Sequence, residues 1–260
     1  MQDHPNAFYD GGLSVATYDL FAAGGALEGD VAFYLSLAER TGGPVLELGA
    51  GSGRVLLALA RAGLKMTGVD LSAAMLAIAR ARLEAEGLDA ELVQAPMQDF
   101  EADGRFALAL IPARAFQHLV EPADQRVCLE RVRRSLRPGG LLAVDLFDPL
   151  LEAVVGEPAP APAREAADPA TGRRFRRRSI GRWTDPLRQL VGERLRLEAL
   201  GDDGRVIEAQ ETSWALRWNT RQEMAWLLEL CGFAVEAQYS DFRGAPPAYG
   251  KEQLWVARAV

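Results

Sequence analysis

The chain has few of the residues that build disulfide frameworks and zinc sites. Its 260 residues include two cysteines, Cys128 and Cys231, and two histidines, His4 and His118. Each cysteine lies in a helix-like pattern, so both are expected to be buried apolar residues rather than disulfide partners. Two histidines provide no cluster for a zinc ion.

Membrane and export signals are also missing. No apolar run of roughly 18 residues, the length of a membrane helix, occurs. The N-terminus has no basic region followed by an apolar core. We therefore expect a cytoplasmic protein with no membrane contact. The net charge of −7 gives no generic attraction to nucleic acid or to an anionic membrane.

The rest of the composition is that of an ordinary soluble globule, with 49% hydrophobic and 25% charged residues. A chain of this length can bury a full core, either as one elaborated domain or as a domain with a small cap. Function must therefore be read from local motifs.

The most informative stretch runs from Val45 to Gly53, Val-Leu-Glu-Leu-Gly-Ala-Gly-Ser-Gly. A short apolar run leads into a loop with glycine at every second position, and a helix-like pattern follows over residues 54–61. Glycine permits positive φ and lets a ligand approach the backbone without meeting a Cβ. A strand, a tight glycine turn and a helix N-terminus together form a cradle for a nucleotide or nucleoside.

The spacing within this loop distinguishes between ligands. Gly49, Gly51 and Gly53 form G-x-G-x-G, whereas a dinucleotide site needs G-x-G-x-x-G and a phosphate loop needs a following Gly-Lys-Ser/Thr. Glu47 lies inside the strand, where its carboxylate would repel a pyrophosphate but suits a cationic, zwitterionic ligand. The next strand ends at Asp70, which is placed to accept hydrogen bonds from both hydroxyls of a ribose.

Four segments carry a family resemblance, and they are Glu47–Gly53, Gly68–Ser72, Ala74–Leu76 and Leu136–Gly140. In order and spacing they resemble the class I S-adenosylmethionine-dependent methyltransferases, over about residues 40–150. The resemblance implies S-adenosyl-L-methionine as the cofactor. An ordinary strand–helix turn of another Rossmann-like domain is the alternative interpretation.

The alternation of strand-like and helix-like segments predicts an α/β fold, with a Rossmann-like seven-stranded methyltransferase sheet and an inserted antiparallel β accessory region. Core strands are expected at residues 44–48, 65–69, 90–94, 106–111 and 141–147, and core helices near residues 54–62, 73–86 and 122–136. Residues 156–171, rich in Ala and Pro, are expected to form an exposed connection. Three accessory strands are expected at residues 173–183, 187–200 and 205–217. Thr220 and Glu223 have the spacing of a capping box, and two final strands are expected at residues 233–240 and 252–258.

These patterns divide the chain into four parts. We expect an N-terminal lead-in or lid (1–43), a cofactor-binding methyltransferase core (44–150), a linker with the inserted antiparallel sheet (151–217), and a C-terminal helix with strands that complete the core sheet (218–260).

The resemblance also implies roles for individual residues. The backbone of residues 49–53 would lie under the methionine and ribose parts of the cofactor, and Asp70 would hold the ribose. Leu71 and Met75 would flank the adenine, although Met75 also has the spacing of a core residue. Pro96 stands where the family often has an acidic residue for the adenine amino group, so the backbone of Met97 or the side chain of Gln98 would replace it. The expected cofactor-binding residues are Glu47, Gly49, Ala50, Gly51, Gly53, Asp70, Leu71, Met75, Pro96, Met97, Gln98 and Ile111.

The loop after the fourth strand, residues 111–119, is where this fold places acceptor-facing groups. The near-neutral pKa of an imidazole would let His118 remove a proton from a hydroxyl or ammonium; capping or orienting the loop is the alternative. Arg114 is a candidate for binding an acceptor carboxylate or phosphate, or else it faces solvent. Tyr18 resembles N-terminal tyrosines that cover the sulfonium in small-molecule methyltransferases, and packing is the alternative.

Several missing motifs narrow the acceptor. The loop has no carboxylate for a catechol-type metal site, so no metal is expected, and it lacks the Asn/Asp-Pro-Pro-aromatic and Pro-Cys motifs of DNA methyltransferases. We therefore expect direct methyl transfer to an oxygen or nitrogen of a small molecule, by a monomer or homodimer. The alternatives are an RNA or protein methyltransferase that docks through the arginine-rich residues 173–178, and a non-catalytic S-adenosylmethionine-binding protein. A nicotinamide-dependent oxidoreductase is a more distant alternative, and nucleic acid is not an expected partner.

Overall fold

A computed structural model describes residues 7–22, 27–155 and 160–260, and in it the chain forms two compact units. The core unit comprises Ala26–Pro149 and Trp218–Val260, and the accessory unit comprises Met1–Gly25 and Leu150–Arg217. The lead-in expected over residues 1–43 is not one piece. Its first part belongs to the accessory unit, and its last part belongs to the core unit.

The elements follow one another in a regular alternation through the first half of the chain. They are α1 (Leu13–Ala16), α2 (Tyr18–Ala22), α3 (Asp30–Thr41), β1 (Val45–Leu48), α4 (Arg54–Arg61), β2 (Met66–Asp70), α5 (Ala73–Glu86), β3 (Glu91–Gln94), β4 (Phe106–Ile111), α6 (Pro122–Ser135) and β5 (Leu136–Phe147). The second half contains α7 (Leu151–Val155), β6 (Arg164–Ala167), β7 (Arg174–Asp185), β8 (Leu190–Leu200), β9 (Val206–Arg217), α8 (Arg221–Leu230), β10 (Phe233–Tyr239) and β11 (Glu252–Ala259).

The core unit is built on a seven-stranded sheet in the order β10-β11-β5-β4-β1-β2-β3. Strands β1 to β5 pair in parallel, and β11 runs antiparallel to both β5 and β10. The strand order reverses between β1 and β4, and ligands of open α/β sheets bind beyond the carboxyl ends of the strands at such a point. The predicted α/β fold, with its separate antiparallel sheet, is confirmed.

Burial explains why the central strands are continuous apolar runs. Every residue of β1 and β4 is buried, as expected for parallel strands covered on both faces. Leu46 and Leu48 pack in one hydrophobic cluster, with α6 and α8, whereas Val45 packs in another, with α3 and α4. Because successive strand residues point to opposite faces, the two clusters form the two sides of the core.

The helix ends follow local signals in the sequence. The hydroxyl of Thr220 accepts a hydrogen bond from the backbone N–H of Glu223 (3.2 Å), and the Glu223 carboxylate accepts one from the Thr220 N–H (3.4 Å). This reciprocal pair is the predicted capping box of α8. Strand β5 begins at Leu136 rather than at residue 141, because Leu136 already pairs with Phe106 before an irregularity in the register.

The accessory unit contains a four-stranded antiparallel sheet in the order β6-β7-β8-β9. Phe175, Leu195 and Leu197 on its strands pack with Phe8 and Leu13 from the N-terminal segment. That segment forms a 3₁₀ turn at Ala7–Tyr9 followed by α1 and α2. Packing against the sheet, and not length or capping, stabilises such short helices.

Strand β6 was not expected from the sequence. It lies inside the segment that we interpreted as an exposed connection, and it pairs with β7 from Arg164↔Arg177 to Ala167↔Arg174. Its sequence, Arg-Glu-Ala-Ala, has no β-branched or aromatic residue and therefore gives no strand signal. Residues 156–159 of that segment lie outside the described part of the chain.

The arginine-rich run of β7 is paired with glutamates of the same sheet. Each arginine of the run has a carboxylate within ion-pair distance: Arg173–Glu208 (3.8 Å), Arg174–Glu165 (3.2 Å), Arg176–Glu165 (2.8 Å), Arg177–Glu193 (3.3 Å) and Arg178–Glu198 (2.7 Å). The run is therefore an interleaved pattern of both charges rather than a basic stripe.

Other expectations concern the cysteines, metal sites and membrane helices. Cys128 and Cys231 are both free and buried, as predicted, and burial raises the pKa of Cys231 to about 11. Among the residues that the structure describes, no group of three His, Cys, Asp or Glu side chains could hold a metal ion. In the same part of the chain, no helix has the length and apolar character needed to cross a membrane.

Candidate functional site

The glycine loop after β1 adopts a backbone that only glycine accommodates easily. Gly49 (φ 73°), Gly51 (φ 55°) and Gly53 (φ 84°) all lie in the left-handed region. A Cβ at Gly49 would come within 2.5 Å of the Cβ of Ala115, and one at Gly53 within 2.4 Å of a methyl of Leu57. A Cβ at Gly51 would meet no neighbouring atom closer than 4.0 Å, so there is open space beside the loop at this glycine.

Hydrogen bonds to residues at the end of β2 hold this loop in place. The carbonyl of Val69 accepts hydrogen bonds from the N–H groups of Gly49 (2.8 Å) and Ala50 (3.0 Å). The Asp70 carboxylate accepts one from the Gly51 N–H and one from the Ser72 N–H, each 2.8 Å long. A carboxylate has about four acceptor positions, so Asp70 retains capacity for the two hydroxyls of a ribose. Burial raises the pKa of Asp70, and these two backbone hydrogen bonds oppose the rise.

Glu47 provides a buried carboxyl group under the loop. Its side chain is only 1% exposed, and its Oε2 has no hydrogen-bond partner among the described residues. Burial raises the pKa of Glu47 to about 8, while the charge of Arg54 opposes the rise and that of Asp30 adds to it. Arg54 itself pairs with Asp30 through two hydrogen bonds of 2.7 and 2.5 Å. A buried polar atom without a partner is rare in folded proteins, and a cationic ligand group would supply one.

The expected adenine-binding residues are not equally accessible. Leu71 is 57% exposed at the end of β2, which suits a residue that covers a planar ring. Pro96, Met97 and Gln98 are half-buried, and the methyl of Met97 lies 3.7 Å from the ideal Cβ position at Gly49.

Two further residues of the expected set have buried side chains. Met75 is 1% exposed and Ile111 is 0% exposed, so both are core residues that do not face open space. For Met75 the structure therefore favours the core-packing alternative. Ile111 was expected to bind the cofactor, but its side chain belongs to the core cluster that contains β1 and α6.

The loop after β4 holds the two candidate acceptor residues. His118 is half-buried at the end of a 3₁₀ turn, Ala115–His118. The guanidinium of Arg114 forms two hydrogen bonds with the Glu252 carboxylate, one of them 3.2 Å long, and lies 5.7 Å from the ring centre of Phe147. Arg114 therefore has an anionic partner within the fold, while its side chain is 32% exposed. An acceptor carboxylate would share the guanidinium, which has five N–H donors, with Glu252.

Tyr18, the third candidate, belongs to the accessory unit. Its ring contacts those of Tyr9 and Phe8 at centroid distances of 6.0 and 6.4 Å. This geometry accords with the packing alternative for Tyr18.

Sequence reasoning missed the residues that support the loop after β4. The buried carboxylate of Asp145 accepts hydrogen bonds from the N–H groups of Ala113 and Arg114 and from the hydroxyl of Tyr34. A single acidic residue in an apolar strand is the one signal that marks Asp145 in the sequence. Its partners could not be found, because they come from the loop after β4 and from the helix α3, both distant in sequence.

Strands β1 to β4 and the glycine loop of the core unit lie within a segment that resembles a known domain. Residues 45–140 match the family model described as "Methyltransferase domain". These residues are therefore similar to a methyltransferase domain, and the fold is that of solved S-adenosylmethionine-dependent methyltransferases.

Several known proteins are similar to the chain. The cypemycin N-terminal methyltransferase of a Streptomyces species is 31% identical over 140 residues, which are 52% of this chain and 55% of that protein. A solved S-adenosylmethionine-dependent methyltransferase of Clostridium acetobutylicum superposes with a TM-score of 0.77 at 13% identity, over 94% of this chain and 96% of that one. The glycopeptide N-methyltransferase MtfA, solved with sinefungin, is 28% identical with a TM-score of 0.54, over 89% and 94% of the two chains. The chain spans about half the length of the curated relatives that it matches.

Proposed function

We propose that this protein is an S-adenosylmethionine-dependent methyltransferase that acts on a small molecule. The observation that carries the proposal is the buried Glu47 carboxyl group, with one oxygen unpartnered, under a glycine loop that is open at Gly51. A dinucleotide pyrophosphate would bring negative charge to this position, whereas the amino group of S-adenosylmethionine brings positive charge.

The residues around the loop fit this cofactor. Glu47 would receive the ammonium group, the backbone at Gly51 would lie against the ligand, and Asp70 would accept hydrogen bonds from the ribose. The exposed Leu71 would cover the adenine, and Met97 and Gln98 would border it. When bound, the cofactor supplies an electrophilic methyl group on a sulfonium.

The protein contributes mainly alignment to such a reaction. Methyl transfer requires that the acceptor atom, the methyl carbon and the sulfur lie in one line, and orientation of this kind supplies about 7–11 kcal/mol in the best intramolecular cases. The acceptor must also lose one proton in the overall transfer, and an ammonium must lose it first to expose its lone pair. We assign this proton to His118, which follows the glycine-facing Ala115 in the 3₁₀ turn after β4.

We propose nitrogen as the acceptor atom. One similar protein is described as the cypemycin N-terminal methyltransferase and another as a glycopeptide N-methyltransferase. An amine matches the proposed base, because an ammonium must be deprotonated before it can attack and an imidazole suits that step near neutral pH.

RNA is not the acceptor that we propose. Docking on nucleic acid needs unneutralised Lys or Arg side chains that displace counterions from phosphates. In β7 the arginines of residues 173–178 already pair with glutamates, and the whole chain carries a net charge of −7.

The first experiment measures cofactor binding by isothermal titration calorimetry. We expect S-adenosylhomocysteine to bind to the wild-type protein. Asp70→Ala and Glu47→Gln should each weaken it by about tenfold or more, since the first removes a carboxylate acceptor and the second removes the carboxyl group that would become anionic opposite the ligand ammonium. Asp103→Ala, an exposed aspartate in the turn before β4, serves as the matched control and should leave the affinity unchanged. Binding of NAD(H) in place of S-adenosylhomocysteine would refute the proposal.

Turnover is tested with a panel of primary and secondary amines and their hydroxyl analogues, followed by mass spectrometry. We expect a mass gain of one methylene unit in an amine acceptor and loss of this activity in His118→Ala. Cofactor binding without turnover across the whole panel would instead identify a non-catalytic binding protein.

A further inference from the structure

The turn after β4 has a backbone that its side chains do not favour. Ala113 (φ 57°) and Arg114 (φ 62°) are consecutive residues in the left-handed region, and neither is glycine. The Cβ of an L-residue makes this region unfavourable. Two such residues in a row persist only where the surrounding structure holds them.

The side chain of Asp145, near the end of the neighbouring β5, holds this turn. Its Oδ1 accepts a hydrogen bond from the Ala113 N–H (2.8 Å), and its Oδ2 accepts one from the Arg114 N–H (2.9 Å). Successive backbone N–H groups directed at one anion form a nest, a common anion-binding arrangement. The hydroxyl of Tyr34 in α3 donates a further hydrogen bond to Oδ1, and Asp145 is completely buried.

The charge state of Asp145 permits this role at neutral pH. Burial raises its pKa to about 6, and the nearby charge of Glu252 adds to the rise. The hydrogen bonds from Tyr34, Arg114 and Ala113 oppose it. Near pH 7 the group is therefore mainly a carboxylate, with acceptor positions for all three donors.

The turn determines where the next residue, Ala115, meets the glycine loop. A Cβ at Gly49 would lie 2.5 Å from the Cβ of Ala115, so the methyl group of Ala115 occupies the space beside this glycine. Any movement of the turn at Ala113 and Arg114 shifts this methyl group. The packing of Ala115 against the glycine loop therefore depends on the carboxylate of Asp145.

We propose that Asp145 is a positioning residue of the cofactor site. By holding the left-handed turn at Ala113 and Arg114, it keeps Ala115 against Gly49 and orients the loop that ends at His118. The inference rests on the proposed function, because its effect is expressed in cofactor binding. Asp145 acts through the backbone of residues 113–115.

The test begins with Asp145→Asn. The amide oxygen can still accept from the Tyr34 hydroxyl and the Ala113 N–H, but the amide NH₂ then faces the Arg114 N–H, donor against donor. We expect the Kd for S-adenosylhomocysteine, measured by calorimetry, to rise about tenfold or more. Asp148→Asn makes the same chemical change in a nearby side chain that accepts from Gln253 (2.8 Å), and its Kd should stay within about twofold of the wild type.

A second substitution separates positioning from simple packing. Glycine adopts a positive φ without strain, so Ala113→Gly lowers the need for a side chain that holds the turn. We expect the double variant Asp145→Asn with Ala113→Gly to bind S-adenosylhomocysteine within about threefold of the wild type. If the carboxylate served only to pack the core, the glycine would not restore binding.

The outcomes distinguish this inference from the proposed function. A wild-type protein that binds neither S-adenosylmethionine nor S-adenosylhomocysteine overturns the proposed function. Wild-type affinity in Asp145→Asn, or a glycine variant that restores nothing, overturns the positioning role.

Amide hydrogen exchange of the wild-type protein tests the same turn without any substitution, and it applies if Asp145→Asn does not fold. We expect the N–H groups of Ala113 and Arg114 to be protected at pH 7 and to lose protection as the pH falls through about 6. Rapid exchange of both groups at pH 7 overturns the inference.

Discussion

Glu47 has an environment far from that of a surface carboxyl group. It lies in the middle of a buried strand, and Asp30 and Asp70 place negative charge nearby. Such a group costs stability when it is ionised, and a ligand of opposite charge is what we propose to offset that cost. The same environment therefore affects both the pH dependence of folding and the choice of ligand.

Substitution of Glu47 with Gln should change how stability depends on pH. Burial raises the pKa of Glu47 in the folded state from 4.5 to about 8. The protonated form therefore contributes its full stability below pH 4.5, and this stability is lost as the pH rises through about 8. Between these values the wild type loses about 1.4 kcal/mol per pH unit relative to Glu47→Gln, a few kcal/mol in all.

Denaturant unfolding of both proteins at pH 5 and pH 8 checks this expectation. Glu47→Gln should gain in relative stability between the two pH values, because its side chain does not titrate. Because all other titrating groups are shared by the two proteins, their contributions cancel in the difference. Parallel pH profiles would show that Glu47 is ionised in the folded protein at neutral pH.

The site residues differ in how far the sequence could identify them. Asp70 and the glycines could be proposed from the sequence because each stands at a fixed offset from the end of one strand. Asp145 was not, because its function depends on the adjacency of β4 and β5 and on a hydroxyl from α3. The ion pair between Arg114 and Glu252 joins residues 138 positions apart, and no local pattern indicates it.

At the scale of elements, α8 shows how a local signal fixes a boundary. Its first turn is closed by the reciprocal hydrogen bonds between Thr220 and Glu223. On its buried face, Met224 and Leu228 pack into the core cluster. The cap defines where the helix starts, and the apolar spacing defines which face is buried.

Replacement of Thr220 with Ala should destabilise the protein by about 1 kcal/mol, because it leaves the N–H of Glu223 without its acceptor. Thr220→Ser retains a hydroxyl that caps equally well and is the matched control. Equilibrium unfolding in guanidinium chloride measures both. Equal losses in the two variants would assign the effect to the methyl group rather than to the cap.

Regular elements were predicted where the sequence pattern is strong and missed where packing alone supports them. Strands β1 to β4 and helices α4 to α6 were expected close to their observed bounds, because the strands are short apolar runs and the helices have apolar residues at helical spacing. Strand β6 and the short helices α1 and α2 have no such period. Pairing with β7 holds β6, and contact with the antiparallel sheet holds the helices.

At the scale of the whole molecule, ligand binding should raise thermal stability by mass action. At about one hundred times its Kd, S-adenosylhomocysteine should stabilise the folded state by about 2.7 kcal/mol. For a chain of this size we expect the Tm to rise by about 5–10 °C. Differential scanning fluorimetry checks this, with NAD(H) at equal concentration as the comparison. A rise with NAD(H) alone would contradict the assigned cofactor class.

The sequence by itself determined the class of fold and the kind of cofactor. Both follow from residues close together in the chain, namely the apolar strand, the alternating glycines and the acidic residue one strand later. The tertiary structure decided which of the expected residues face open space and which are core, since burial depends on elements that are distant in sequence. It also decided the charge environment of Glu47, the neutralised arginines of β7 and the support of the loop after β4 by Asp145. These depend on which strands lie side by side, and only the folded sheet fixes that order.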